Sequence, residues 1–311
     1  MSEIKKYATR EGYGQGLVEL GAEHDDVIVL DADLAASTKT GMFKKAYPER
    51  FFDCGIAEAN MMGVAAGLAA TGKVVFASSF AMFASGRAFE QIRNSIAYPA
   101  LNVKIGATHG GASVGEDGAS HQCNEDIAIM RAIPNMTVIC PSDYIEAREA
   151  VKAAYAHEGP VYMRFGRLAI PQFNDEDYKM EIGKGVVLRE GTDATVIASG
   201  LLVYEALLAA DSLKEQGINI RVINIHTIKP IDEDIIIKAS KETPFIVTAE
   251  EHSVLGGLGD AVSKVVCENA PTKVVRIGIN DEFGRSGPAK ELLELYGLCA
   301  ENIEKTVKKN L

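Results

Sequence analysis

Residues 51–79 read FFDCGIAEANMMGVAAGLAATGKVVFASS. The aromatic start ends at a Gly turn, the small residues of 57–70 predict a closely packed helix, and VVFASS at 74–79 predicts a buried strand. The same unit recurs outward in both directions. Strands are expected at VIVL (27–30), LNVKIGAT (101–108), MTVICPS (136–142) and VYMRFG (161–166), with helices near 9–22, 84–97 and 143–156. It resumes with ATVIAS, INIRVINI, PFIVTAE and KVVRIGI, separated by helices near 201–216, 257–269 and 288–296. Strands spaced by single helices imply an α/β fold with mostly parallel, doubly wound sheets covered on both faces. The pattern breaks once, at LAIPQFNDEDYKMEIGKG (168–185), which has turn-formers, an acidic cluster and no sustained period. This divides the chain into a first domain at 1–167, a linker at 168–185 and a second domain at 186–311.

Composition narrows the function. With 311 residues, 47% of them hydrophobic and 24% charged, the chain has apolar side chains enough for two cores. A net charge of −11 argues against generic nucleic-acid or anionic-membrane binding. The five cysteines are scattered, without a spacing suited to zinc, and read as reduced intracellular thiols. MSEIKKYATREGYG has no apolar run for a signal peptide, so a cytoplasmic protein is expected.

Ligands of open parallel sheets gather at the carboxyl ends of strands. There the sequence places DADLAAST (31–38), Glu58, the aromatic pair Phe80 and Phe83 followed by Arg87, the loop HGGASVGEDGASHQ (109–122), and Arg167. Each has a plainer reading. Glu58 would suit any helix N-terminus, Phe80 and Phe83 would suit a core, and the Gly-rich loop would suit a turn. Their convergence on one sheet edge is what points to a cleft for a small anionic ligand. GGLGD (256–260) lacks the spacing of a phosphate loop. EEHS (250–253) reads as catalytic or, more simply, as a solvated or interface cluster.

In order and spacing, ATR (8–10), DADLAAST, residues 51–72, FASSFAMFASGRAFEQIR (76–93), THGGASVGEDGASHQ (108–122), RFGR (164–167), INIHTIKPID (223–232) and RSGPAKELLELYGL (285–298) resemble the transketolase family over nearly the whole chain. The resemblance implies thiamine diphosphate as cofactor. It makes Glu58 the carboxyl that hydrogen-bonds N1′ of the pyrimidine ring and, with His121, a catalytic residue. Phe80 and Phe83 become aromatics around that ring, with Phe83 the stacking partner, and Asp33 a residue near the cofactor at the subunit boundary. Arg10, Ser37, His109 and Arg167 are then contacts for a sugar phosphate, with Arg167 preferred to nearby Arg164, and Asp117 and His121 are contacts for substrate hydroxyls. Ile56, Ala57, Ala59, Met61 and Met62 are expected to keep water from Glu58. A further aromatic of some members would fall near Gly86.

The family's Gly-Asp-Gly motif, which with a later Asn holds the cofactor diphosphate and a Mg²⁺ or Ca²⁺ ion, does not occur here. The expectation is therefore a natural subunit that binds no metal itself. It would be active only with an N-terminal transketolase subunit, as an α2β2 heterotetramer moving a ketol unit from xylulose 5-phosphate to ribose 5-phosphate or erythrose 4-phosphate. The rivals are the beta subunit of a 2-oxo acid dehydrogenase, whose substrates carry no phosphate for the Arg10, Ser37, His109 and Arg167 set, part of a deoxyxylulose-phosphate synthase, and a non-catalytic regulatory paralogue.

Overall fold

Val27–Asp31, Val74–Phe80 and Val103–Thr108 are buried along their whole length, as strands sheathed by helices on both faces must be. The structure, a computed structural model, describes residues 5–311, so the first residues of the expected N-terminal domain, 1–4, lie outside the described residues. The first half of the chain runs β1 (Lys6–Ala8), α1 (Thr9–Glu23), β2 (Val27–Asp31), α2 (Ala35–Thr38), α3 (Gly41–Ala46), β3 (Phe51–Asp53), α4 (Glu58–Ala70), β4 (Val74–Phe80), α5 (Phe89–Gln91), β5 (Val103–Thr108), α6 (Asp126–Arg131), β6 (Thr137–Ile139), α7 (Tyr144–Ala156), β7 (Val161–Arg164) and β8 (Ala169–Pro171). The second half runs β9 (Val186–Arg189), β10 (Ala194–Ala198), α8 (Leu202–Glu215), β11 (Ile220–Asn224), β12 (Thr227–Lys229), α9 (Glu233–Glu242), β13 (Phe245–Ser253), α10 (Leu258–Asn269), β14 (Lys273–Ile279), α11 (Ala289–Leu295) and α12 (Ala300–Asn310).

Two doubly wound sheets result. One has seven strands in the order β12-β6-β7-β5-β4-β2-β3, parallel except at the β12 edge. The other has five in the order β14-β13-β10-β11-β9, parallel except at the β9 edge. Strand β12 belongs to the second half in sequence but closes the first sheet, so the two halves share hydrogen bonds as well as apolar contact. Against the first sheet, α1 lies unusually close to α7. A Cβ at Gly12 or Gly16 would collide with the α7 backbone at Tyr144 or Arg148, so these two positions require glycine.

Two expectations need amendment. The stretch 84–97 is not one regular helix: π-helical turns at Phe83–Arg87 and Ile92–Ala97 flank the single turn of α5. Such widened turns re-aim side chains and are common at functional sites. The segment 168–185 is also more ordered than its irregular sequence suggests. Within it β8 pairs antiparallel with β1, and residues 173–179 are gripped by Asp143, the N-cap of α7, and by positions 146 and 149 of that helix. Asp143 accepts from the backbone N–H of Phe173 (3.0 Å) and Asn174 (2.8 Å), Glu146 from the Tyr178 hydroxyl (2.6 Å), and Glu149 pairs with Lys179 (3.1 Å). Helices α9 and α12 lie where no helix was expected. Among the described residues, no helix is long and apolar enough to cross a membrane.

Candidate active site

The sheet order places β3 and β4 on opposite sides of β2, so the winding reverses there. Such a switch point opens a crevice beyond the carboxyl ends of the strands. Four chain segments leave the sheet into it: the turn after β2, the start of α4 after β3, the π-helical turn after β4 and the long loop after β5.

Glu58 opens α4 and is only 3% exposed. Its carboxylate accepts from the Ser79 hydroxyl (3.3 Å) and from Nη1 of Arg87, which is 3.4 Å from both oxygens. The Arg87 guanidinium also lies over the Phe83 ring, 4.0 Å from its centroid. Phe80 stacks on Phe83 at 5.8 Å, and His121 meets Phe83 edge-on at 5.2 Å. Of the residues expected to shield Glu58, Met61 and Met62 are wholly buried. Ile56 is not one of them: it is 76% exposed and adds nothing to that shielding in the single chain. Sequence reasoning placed Arg87 at this edge but gave it no role. The available signal was its position four residues after Phe83 in a helical turn, where side chains meet.

The phosphate-type residues meet beside this aromatic cluster. Nη1 of Arg10 donates to the Ser37 carbonyl (2.8 Å) and to Nε2 of His109 (3.3 Å). Because Arg10 can only donate, Nε2 is the acceptor, and the imidazole proton sits on Nδ1 facing the Thr108 hydroxyl at 2.9 Å. Burial, reinforced by Arg10, Arg167 and His121, pulls His109 down to about 3. Its ring stacks on Phe80 at 3.8 Å. Nε of Arg10 is buried with no protein partner, a donor left available for an anion. Ser37 meets Arg10 through its main-chain carbonyl. Its turn is held by Asp31, which is buried, pushed up to about 6 by that burial, and accepts from Leu34 N–H (2.6 Å), Thr38 (2.7 Å) and Thr40 (2.8 Å).

Arg167 is half-buried at the mouth, bonded to the Val114 carbonyl and, at 3.1 Å, to Glu116. Arg164 is different in kind: it is buried, pairs with Asp126 at 2.9 Å and donates to the Cys123 and Glu251 carbonyls. The two arginines thus differ, one buried in an ion pair and the other at the rim. Asp117 and Asp33 sit exposed on their loops. Asp33 is held by its main-chain N–H to Asp53 (3.0 Å), with a positive φ of 62°. Neither makes a side-chain bond to Glu58 or His109, whereas Arg10, Ser37 and His109 are in direct contact. A cleft of about 700 Å³ opens next to Phe83 and Arg87, bounded also by Ser120, Gln122, Glu125 and Phe283.

The depressed His109 makes a pH prediction. In the unfolded chain this imidazole binds a proton near pH 6.5, but in the fold only near 3. Stability tied to it is intact above 6.5 and falls as pH drops towards 3. On lowering pH from 7.5 to 5, the wild type is expected to lose roughly 2 kcal/mol more than His109→Asn, read from urea midpoints at the two pH values. An equal loss in both would contradict the assigned neutral, buried imidazole.

Comparison with known proteins matches both halves of the chain. Residues 5–172 match the family described as "Transketolase, pyrimidine binding domain", and residues 183–303 the family described as "Transketolase, C-terminal domain". The chain is 57% identical over 305 residues to a putative transketolase C-terminal section of Methanocaldococcus jannaschii, covering 97% of this chain and 96% of the relative. It is 42% identical over 313 residues to a 6-deoxy-6-sulfo-D-fructose transketolase subunit of a Clostridium species, covering 99% and 97%. A solved structure described as a split gene transketolase, inactive beta4 tetramer, superposes with a TM-score of 0.89 at 52% identity and 97% coverage of each chain.

Proposed function

This chain belongs to the transketolase family, and on that premise we propose that it supplies the pyrimidine-binding and C-terminal domains, divided at 168–185, of a split thiamine diphosphate-dependent transketolase acting in the cytoplasm. The observation that carries the reading is the pairing of a buried Glu58 with a stacked, planar cation on Phe83. A guanidinium that lies over an aromatic ring while donating to a carboxylate occupies the kind of place an aminopyrimidine needs, so the residues present fit that half of the cofactor. When bound, thiamine diphosphate supplies the carbanion chemistry that breaks and remakes the carbon–carbon bond. Glu58 would hold a proton at a ring nitrogen, Phe83 would stack the ring, and Met61 and Met62 would keep water from the carboxyl. Arg10, held in place by the acceptor nitrogen of His109, and Arg167 at the rim orient the phosphate of a ketose phosphate donor or an aldose phosphate acceptor. His121 and Asp117 lie on the loop that would meet the sugar hydroxyls.

Among the described residues, no group of three or more His, Cys, Asp or Glu is arranged to hold a metal. A second subunit would bring the diphosphate site and its Mg²⁺ or Ca²⁺, in an α2β2 assembly. A related chain described as an inactive beta4 tetramer supports that need. The relative that acts on a sulfo-sugar keeps the choice of sugar open within this chemistry, and xylulose 5-phosphate with ribose 5-phosphate or erythrose 4-phosphate is the pair proposed.

The test is reconstitution with a diphosphate-domain subunit, thiamine diphosphate and magnesium. Two-carbon transfer from xylulose 5-phosphate to ribose 5-phosphate, absent with either subunit alone, is expected. Decarboxylation of a 2-oxo acid in its place would favour the 2-oxo acid dehydrogenase reading. A second result concerns Arg87, which must leave Phe83 when the ring arrives. Its side chain is 53% exposed, so the contacts given up are weak ones. Arg87→Ala is expected to tighten cofactor binding to the complex about threefold by calorimetry; weaker binding would mean that Arg87 helps to hold the cofactor.

A further inference from the structure

The loop 109–122 carries His109, Asp117 and His121, yet it is fastened from the far half of the chain. Glu251, buried near the end of β13, accepts from the Ser113 backbone N–H at 2.6 Å. Its carboxyl lies so close over Gly111 that a Cβ there would overlap it, and Gly111 has a φ of 87°. Ala112, next in the loop, is packed inside the apolar core formed by residues of the second half. Gln122 closes the loop from the other end, donating to the Ala112 carbonyl (3.1 Å) and to the Arg285 carbonyl (3.0 Å). The neighbours of Glu251 explain the rest of the EEHS stretch. Glu250 accepts from the N–H groups of Leu258 and Gly259 at the start of α10, and His252 accepts weakly from Ala128 N–H (3.4 Å). The cluster is therefore an interface, and one of its members reaches the candidate active site.

We propose that Glu251 is a positioning residue for the transfer reaction: through Ser113 it sets the loop that presents His109, Asp117 and His121 to the substrate. This gives the second half of the chain a part in the chemistry, and it rests on the functional reading above. Glu58 and Phe83 lie on other elements, and the loop meets Phe83 edge-on through His121, at the far end from this bond. A loosened loop should therefore weaken substrate binding while leaving cofactor binding alone, a split that general damage to the fold would not give.

Glu251→Gln keeps the side chain's shape and an acceptor oxygen but loses the charge that strengthens the bond. In the reconstituted complex it is expected to raise KM for the ketose phosphate about fivefold, with the half-saturating thiamine diphosphate concentration changed by less than about twofold. Amide hydrogen exchange across 111–115 should quicken about fivefold. Glu251→Ala should move both readouts further, about tenfold or more; if it does not fold, the glutamine variant alone decides. An unchanged KM with unchanged exchange overturns the proposal, as does a cofactor requirement that rises in step with KM. Should the wild-type complex show no two-carbon transfer, the functional reading falls by itself. Exchange then decides whether Glu251 holds the loop: quickening sustains the clasp, and wild-type protection removes it.

Discussion

Glu58→Ala is expected to lower turnover of the reconstituted complex by about 10³-fold while the chain still folds and assembles. The two halves of that expectation have separate causes. The carboxyl is the buried acid or base that faces the proposed ring, and neither Ser79 nor Arg87, its present partners, can take over holding a proton there. Arginine stays charged and can only donate. Folding survives because the loss leaves no charge stranded. Arg87 is half-exposed and its cation passes to water, while α4 loses one favourable charge at its N-terminus, worth about 0.3–1 kcal/mol. Removing a buried carboxylate also relieves its desolvation, so the melting temperature should stay within a few degrees. Glu58→Gln, which preserves shape and a hydrogen bond, should be nearly as inactive. Activity near that of the wild type in either variant would end the assignment.

Asp126→Ala is expected to have the largest effect on stability, about 3–5 kcal/mol. Here the charge left behind has nowhere to go. Arg164 is buried, and Asp126 meets its Nε at 2.9 Å while also accepting from the Tyr162 hydroxyl at 2.8 Å. Burial alone would lower the guanidinium's affinity for its proton, but Asp126, with other acidic neighbours, holds it well above its ordinary range. Without Asp126 the cation is dry and lacks its closest anion. Arg164 also donates to the Cys123 and Glu251 carbonyls, so the damage spreads to the loop 109–122. Replacing both members, as Asp126→Leu with Arg164→Met, should cost clearly less than the two single changes added together. Urea midpoints over the four proteins measure this, and simple additivity would contradict the coupled pair.

Much of this was legible in the sequence because period is a strong signal. The strands at 27–31, 74–80, 103–108, 194–198 and 273–279 announce themselves as apolar runs between helices, and the parallel sheets follow from that alternation. The crowding of Glu58, the aromatics and the 109–122 loop at one edge followed from the rule for where such sheets bind ligands. The features that stayed hidden depend on long-range contact. Strand β12 is too short to signal that it leaves its own half to close the other sheet. The π-helical turns at 83–87 and 92–97 look like ordinary helix in sequence. Ser37 gave its type away but not that its carbonyl, rather than its hydroxyl, meets Arg10. The EEHS stretch could only be read as a charged cluster, since nothing local shows that Glu251 meets an N–H at Ser113, far away along the chain.

The most direct test is a structure of the two-subunit complex with thiamine diphosphate bound. The carboxyl of Glu58 should lie within hydrogen-bond distance of the pyrimidine nitrogen N1′, with the ring on Phe83 and Arg87 swung clear of it. A cofactor seated elsewhere, or a ring at this place with Glu58 turned away and still paired to Arg87, would contradict the account.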